Sequence, residues 1–236
     1  MEHPHIVSEP PILYFGTPVV LISTENDDGS ANIAPMSSAF WLGWRCMLGI
    51  NATSKTTENM LRTGECVLNL PSVNEVAGVN RLARLTGTDP VPAGKLSRGY
   101  SFEKDKFGVS GFTAIPSMTV GAPRALECPV QMEAVVAAKH GLMEDDDVAR
   151  GAILVFEVRV TRVHLHPSIL AEDNPNRVDP DKWRPLIMSF QRFYGLGGEL
   201  HDSTLAKISE ELYRMPDIAR ARTAEPIRRQ EAEFAG

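Results

Sequence analysis

Residues 17–38 read TPVVLISTENDDGSANIAPMSS and predict a strand, a tight turn and a second strand that carries a proline. The first eight residues are mostly β-branched or apolar, which is typical of a strand, and Asn26-Asp27-Asp28-Gly29 is a turn sequence. Pro35 lacks a backbone N–H and therefore favours an edge position or a bulged strand end. We expect the chain to leave the sheet near Met36 and to expose its backbone there.

The segments that follow alternate between short strands and two helices. Hydroxyl residues open one helical pattern at Ser54, and a second pattern spans 74–85. The connection 86–117 is rich in Gly, Pro and charge, which suits a functional loop. Further strands are predicted at 46–51, 65–70, 130–136 and 152–165. Because no regular βαβ rhythm is present, the order favours a mainly β fold with helices, built as an antiparallel barrel.

The composition is that of an ordinary globular protein of one domain. The chain has 236 residues, of which 43% are hydrophobic and 23% charged. Its 24 Lys and Arg against 30 Asp and Glu give a net charge of −6, so a nucleic-acid partner is not expected. No apolar run approaches the ~20 residues of a membrane helix, and residues 1–11 lack the apolar core of a signal peptide. We therefore predict a cytoplasmic protein without a membrane partner.

Three cysteines, Cys46, Cys66 and Cys128, are widely spaced and form no CxxC or Cys/His pattern. We interpret them as buried free thiols in preference to a redox or metal role.

Two clusters of small and hydroxyl residues lie where predicted strands end, at 32–38 and at 51–59. Small residues let a flat ligand approach the backbone, and hydroxyls with a lysine at a helix start suit a phosphate. A phosphorylated planar ligand would satisfy both clusters. The alternative is that Ser, Thr and Asn simply cap and turn the chain. The sequence has neither a GxGxxG fingerprint nor a P-loop, so a nucleotide would have to bind in another way.

The order of these segments resembles the flavin reductase-like family of FMN-binding split barrels. The resemblance runs from 17 to 197 and is carried by residues 17–24, 28–40, 55–59, 105–107, 111–113, 116–117, 127–133, 183–187 and 193–197. It implies an antiparallel Greek-key split β-barrel of the FMN-binding type over 17–200. A lead-in, 1–16, would precede this domain, and a helical tail, 201–236, would follow it and pack on a partner subunit.

The resemblance also implies which residues hold the flavin. The ring and ribityl chain would be lined by Ala34, Pro35, Met36, Ser37 and Ser38, with Asn32 in the same cluster. That wall would continue through Asn51, Ala52 and Thr53, and the phosphate would be held by Ser54, Lys55 and Thr56. Phe193 and Tyr194 could close over the ring from the partner chain, although an aromatic core under a loop is an equal alternative.

The activity implied is hydride transfer from NADH or NADPH to FMN, with FAD possible, and passage of electrons to a monooxygenase partner or another acceptor. Family members are typically homodimers. No side chain is assigned as catalytic, since the cofactor supplies the chemistry. Two alternatives stay open: a non-catalytic split-barrel dimer that binds flavin or another ligand, and an FMN-dependent oxidoreductase of another small molecule.

Other features support weaker hypotheses. Trp41-Leu42-Gly43-Trp44-Arg45 is bulkier and more basic than the nonpolar stretch of many family members, which leaves access to the ring open. His164 and His166 share one side of a strand but lack further ligands, so no metal site is predicted. His140 lies near a probable turn with nothing to place it by the flavin, and 145–147 is interpreted as a solvated acidic turn.

Overall fold

The computed structural model describes residues 5–227. The strands are β1 (Thr17–Pro18), β2 (Val20–Glu25), β3 (Ala31–Met36), β4 (Ala39–Leu42), β5 (Arg45–Asn51), β6 (Glu65–Leu70), β7 (Leu85–Thr86), β8 (Ser101–Phe102), β9 (Ala114–Ile115), β10 (Arg124–Ala125), β11 (Val130–Gly141), β12 (Ile153–Leu165), β13 (Leu170–Ala171), β14 (Asn174–Val178), β15 (Ile187–Ser189) and β16 (Arg192–Tyr194). The α-helices are α1 (Lys55–Thr63), α2 (Val76–Leu82), α3 (Ala93–Leu96), α4 (Lys106–Ser110) and α5 (Pro216–Arg222). None of these described helices has both the length and the apolar character that crossing a bilayer requires.

The main sheet has seven antiparallel strands in the order β3-β2-β6-β11-β12-β5-β4. Its two edge strands, β3 and β4, are consecutive in the chain and are separated only by Ser37 and Ser38. Three Cα steps from Met36 to Ala39 span at most about 11 Å, so the sheet must curl until its edges approach each other. Two register shifts in the β11–β12 hairpin, after Glu133 and after Val136, add to the bend.

The curled sheet is nevertheless not a closed barrel. Within residues 5–227 no ladder of backbone hydrogen bonds joins β3 to β4. The expectation of an antiparallel barrel is therefore met in strand direction and curvature, while the gap at Ser37 and Ser38 stays open.

Apolar side chains fill both faces of the sheet, because successive strand residues point to opposite sides. Val20 and Ile22 belong to the inner cluster together with Phe156. Val19 and Leu21 belong to an outer cluster that α2 and α4 cover. This second layer places α2 and α4 beside β3.

The predicted strand over 17–24 is divided in two. The N–H of Val19 bonds to the carbonyl of Leu186 at 2.9 Å, and β1 pairs with β15 instead of joining the main sheet. The three-stranded sheet β1-β15-β16 thus ties the start of the domain to its end. Phe15 of the lead-in packs edge-on against Phe190, with ring centroids 4.8 Å apart.

Other predicted boundaries shift for local reasons. The helical pattern 74–85 forms a shorter α2, because Ser72 and Glu75 make a capping box around a preceding 3₁₀ turn. The strand predicted over 130–136 continues to Gly141, since β12 supplies a long partner. Strand β4 was not predicted. The strand predicted over 65–70 is confirmed.

Helix α5 of the tail packs on β12 of its own chain, and packing of the tail on a partner subunit stays a prediction. The carboxylate of Asp217 in α5 is buried and accepts a hydrogen bond from Arg45 Nε at 2.8 Å, and Arg45 also pairs with Glu157 of β12. Two 3₁₀ turns, Thr204–Lys207 and Glu210–Tyr213, precede α5 where one helical pattern was predicted. The predicted helical residues 228–233 lie outside the described range.

Candidate functional site

The first polar cluster, along and just after β3, is joined to β5 and to α1 by hydrogen bonds at its two ends. The N–H of Gly49 donates to the carbonyl of Ser38 at 2.9 Å, which joins β5 to the β3–β4 connection. The side-chain amide of Asn32 donates to Thr56 Oγ1 at 3.3 Å, which joins β3 to the first turn of α1. Residues that are far apart in the sequence therefore form one surface.

The loop before α1 is held by its own hydroxyl groups. Ser54 is the N-cap of α1, and its Oγ accepts a hydrogen bond from the N–H of Thr57 at 3.1 Å. The Asn51 side chain accepts bonds from the N–H and the hydroxyl of Thr53, at 3.0 and 2.7 Å. The N–H of Ala52 bonds to the Ala152 carbonyl. These residues therefore cap the helix and turn the chain, as the alternative interpretation of the sequence predicted. Lys55 is the positively charged side chain in this loop.

The Lys55 ammonium is held by a weak ion pair. Its Nζ lies 2.8 Å from Glu58 Oε1 one turn along α1, and the Glu58 side chain is 57% exposed. An exposed pair of this kind stabilises a protein by about 0–1 kcal/mol. A ligand anion can therefore displace Glu58 at little cost.

Asn32 presents an unsatisfied acceptor. Its side chain is buried, its Nδ2 donates to Thr24 Oγ1 at 2.9 Å, and its Oδ1 has no hydrogen-bond partner among the described residues. A Cβ atom on Gly87 would lie 2.9 Å from that Oδ1 and 3.2 Å from Lys55 Cγ. A buried acceptor without a donor costs about 1–3 kcal/mol. The Asn32 side chain is therefore packed closely against the Gly87 backbone, at the wall of a polar cavity that both residues line.

An apolar cavity of about 170 Å³ lies at the other end of β3. It is lined by Val19, Pro35, Met36, Ser37, Val79, Ala83, Met188 and Phe193. Pro35, Met36, Ser37 and Phe193 were predicted as site residues, whereas the contribution of α2 was not. The half-buried Phe193 packs on the outer cluster of its own chain, as the aromatic-core alternative predicts, and its closure over a ring from the partner chain stays a prediction. Tyr194 is 52% exposed, and Ala34 pairs with Ile22 in the sheet; neither lines the cavity.

A second, more polar cavity of about 190 Å³ contains Asn32, Lys55 and Gly87 in its wall. It is lined by Asn26, Asp27, Asp28, Ser30, Asn32, Lys55, Gly87, Asp89, Phe102 and Lys104. Asp28 is paired there with Lys104 at 2.7 Å, which holds the pKa of the Asp28 carboxyl well below its usual range. Sequence reasoning had identified the connection 86–117 only as a functional loop, without its residues.

The remaining candidates have structural roles. The three cysteines are free and buried, and burial raises their pKa values, that of Cys46 to about 12, as expected of inert thiols. His164 donates from Nε2 to the buried Glu133 at 2.7 Å, and His166 caps a 3₁₀ turn through Ser168. His140 is exposed at the end of β11, and Asp146 accepts backbone bonds within an exposed turn. Within residues 5–227 no group of three metal-binding side chains occurs.

The comparisons with known proteins agree with one another on the fold. The family model described as "Flavin reductase like domain" matches residues 12–197. The uncharacterized protein YdfE of Bacillus subtilis (strain 168) is 35% identical over 192 residues, which cover 81% of this chain and 89% of that protein. The structure of flavoredoxin from Desulfovibrio vulgaris (Miyazaki F) is similar over 87% of this chain and 100% of the flavoredoxin chain, with a TM-score of 0.68 and 19% sequence identity. The structure of nitrilotriacetate monooxygenase component B from Bacillus cereus is similar over 79% of this chain and 88% of the component B chain, with a TM-score of 0.64 and 18% sequence identity.

Proposed function

The chain belongs to the flavin reductase-like domain family, and we therefore propose that it is a flavin-binding oxidoreductase. When bound, the flavin would accept a hydride from NADH or NADPH and deliver electrons to an oxygenase or another acceptor. Likeness to a monooxygenase component supports the oxygenase as one such acceptor. The placement of consecutive strands β3 and β4 at opposite edges supports the split-barrel form, with Greek-key connections as its finer description.

One observation carries the proposal: Asn32, Lys55 and Gly87 line one polar cavity, and the Lys55 ammonium there is paired with the exposed Glu58 side chain. A flavin has three matching parts, namely a phosphate, a polyhydroxylated chain and a flat ring. Lys55 would hold the phosphate, and the ribityl chain would lie beside Asn32 in the polar cavity. The apolar cavity at Pro35, Met36 and Phe193 would receive part of the ring.

The protein's own contribution is position and electrostatics. The antiparallel sheet fixes Asn32 and Pro35 three residues apart along β3, so the groups that would contact the two parts of a ligand are held at a fixed spacing. The Lys55 charge stabilises the phosphate at the start of α1. No side chain of the described site needs to transfer a proton, and we assign no catalytic acid or base.

The purified protein is expected to contain flavin or to take it up. The measurement is the visible absorption spectrum after gel filtration with added FMN or FAD, followed by anaerobic addition of NADH or NADPH, which should bleach the flavin bands. A protein that stays colourless with either flavin contradicts the proposal. Flavin that binds but is not reduced by either nucleotide would leave a flavin-binding protein without the proposed reductase activity.

The edge strand β4 supports the proposal of a homodimer. Phe40 and Leu42 are 55% and 69% exposed and, two residues apart, share one face of a strand whose outer edge is unpaired. We expect light scattering to give about twice the chain mass of 25.9 kDa for the wild type, and a shift toward the monomer for Phe40→Glu. Leu96→Glu, at a residue that is 63% exposed in α3, is the control and should not change the mass. A monomeric wild type refutes the dimer.

A further inference from the structure

The Asp28–Lys104 ion pair joins two segments that are far apart in the sequence. Asp28 lies in the β2–β3 turn and Lys104 follows β8, and Lys104 Nζ lies 2.7 Å from Asp28 Oδ2. Both residues line the polar cavity that also contains Asn32 and Lys55. The pair therefore connects two walls of the cavity in which the proposed phosphate contact lies.

This ion pair lies nearer to the solvent than the proposed ligand contacts do. The side chains of Lys104 and Asp28 are 66% and 48% exposed. The Lys55 side chain is only 19% exposed, and Asn32 is buried. Because all four residues line one cavity, the difference places the ion pair at its mouth and the other two residues deeper. A ligand group that moves from solvent to Lys55 through this cavity therefore passes the ion pair.

The β2–β3 turn holds the Asp28 carboxylate in place. Asp28 Oδ1 accepts hydrogen bonds from the Ser30 N–H, at 3.0 Å, and from the Ser30 hydroxyl, which leaves Oδ2 for Lys104. Lys104 and these bonds hold the pKa of the Asp28 carboxyl well below its usual range, and Asp28 in turn raises the pKa of Lys104. Both groups are therefore charged at neutral pH, and the flexible partner of the pair is Lys104.

An ion pair in this setting breaks and re-forms readily. An exposed pair changes an equilibrium constant by at most about fivefold, since water competes for both charges. The closed arrangement is thus favoured only modestly over an open one in which Lys104 has left Asp28. Such a pair slows the passage of a ligand but does not prevent it.

We propose that the Asp28–Lys104 ion pair is a gate that controls how fast a flavin enters and leaves the polar cavity. This inference rests on the proposed function. With the pair formed, the Lys104 side chain lies across the mouth of the cavity, and with the pair broken, the phosphate can pass to Lys55. A gate that forms with and without ligand slows entry and release by the same factor, because both use the same opening. It therefore sets how long a flavin stays without changing its affinity.

The test measures, by stopped-flow fluorescence, the rates at which FMN binds to flavin-free protein and leaves the complex. Lys104→Met and Asp28→Asn should each raise both rates about twofold to fivefold, and the Kd should change less than twofold. The asparagine keeps an acceptor oxygen for Ser30, so the turn is preserved. The double variant should be no faster than either single variant, because both substitutions remove the same ion pair.

Two controls accompany these variants. Lys104→Arg keeps a cation that can pair with Asp28 and should keep the wild-type rates. Arg177→Met removes an ion pair of similar exposure, with Glu210 at 3.1 Å, at a residue that lines neither cavity of the proposed flavin site, and should also keep both rates. At about 1 M salt, where charges are screened beyond about 3 Å, the difference between the wild type and Lys104→Met should shrink.

The outcomes separate this inference from the proposed function. If neither FMN nor FAD binds, the proposed function fails and the gate fails with it. If FMN binds but the wild type and both variants exchange it at the same rates, only the gate is refuted. A Lys104 side chain that holds the phosphate directly would give opposite effects, since Lys104→Met would weaken binding and Asp28→Asn would tighten it by freeing the lysine. That result would overturn the gate, whereas equal increases in both rates support it.

Discussion

Gly87→Val is expected to weaken flavin binding on the order of 100-fold while the protein stays folded. A Cβ at this position would lie 2.9 Å from Asn32 Oδ1 and 3.2 Å from Lys55 Cγ. Lys55 can move, but the Asn32 amide is held by hydrogen bonds to Thr24 and Thr56 and cannot yield easily. Overpacking costs about 1–3 kcal/mol of folding stability. Because Gly87 lines the polar cavity, the valine also occupies ligand space there, and a loss of about 3 kcal/mol in binding is expected.

The control for this variant is Gly94→Val in the same connection. A Cβ on Gly94 meets nothing within 4 Å, so the substitution tests valine without the collision. Both proteins are titrated with flavin and melted, and only Gly87→Val should lose affinity. Equal flavin affinity in the two variants would show that neither Gly87 nor Asn32 lies at the flavin site.

Much of the fold could be predicted because it depends on local patterns. The alternation of apolar residues identified β2, β5, β6 and β12, and the hydroxyl residues at Ser54 identified the start of α1. Strand β4 escaped prediction because Trp41 and Leu42 run into the turn at Gly43 and leave only four paired residues. Its role as a sheet edge is visible only when its partner β5 is in place.

The site could be predicted only where its residues are clustered in the sequence. The proline-containing end of β3 and the lysine at the start of α1 stand in recognisable segments. Gly87 does not, because it lies in a connection without hydrophobic periodicity, and its close approach to Asn32 arises only from tertiary packing.

Polar pairs between residues that are far apart in the sequence could not be predicted either. Arg45 was noted as an unusual basic residue, but its partner Asp217 lies 172 residues away. His164 was considered as a metal ligand because its neighbour in the pattern is His166, whereas its actual partner is Glu133 on the adjacent strand. Such pairs depend on strand register, which a single sequence does not specify.

Glu133→Gln is expected to lower the free energy of unfolding by about 3 kcal/mol at pH 7. The carboxylate is fully buried and accepts hydrogen bonds from His164, from the N–H of Met118 at 2.8 Å and from Thr119. A glutamine amide presents two donors and one acceptor oxygen, so at least one of these donors loses its partner. Hydrogen bonds to a charged group stabilise by about 1.5–3 kcal/mol each, and a buried unsatisfied donor adds its own penalty. Urea denaturation measures the loss, with Glu127→Gln as the control, because Glu127 also binds a backbone N–H but in an exposed setting.

The pH dependence gives a second, independent test of Glu133. Burial alone would raise its pKa, but the hydrogen bonds from His164, Thr119 and Met118 outweigh that effect and hold the pKa at about 2, below the ordinary value of 4.5. A carboxyl whose pKa is lowered by folding stabilises the protein above its unfolded pKa and loses that contribution as the pH falls toward the folded pKa. The wild type should therefore lose about 3 kcal/mol more than Glu133→Gln between pH 5 and pH 2. Parallel acid profiles for the two proteins would show that the carboxylate is not stabilised by this network.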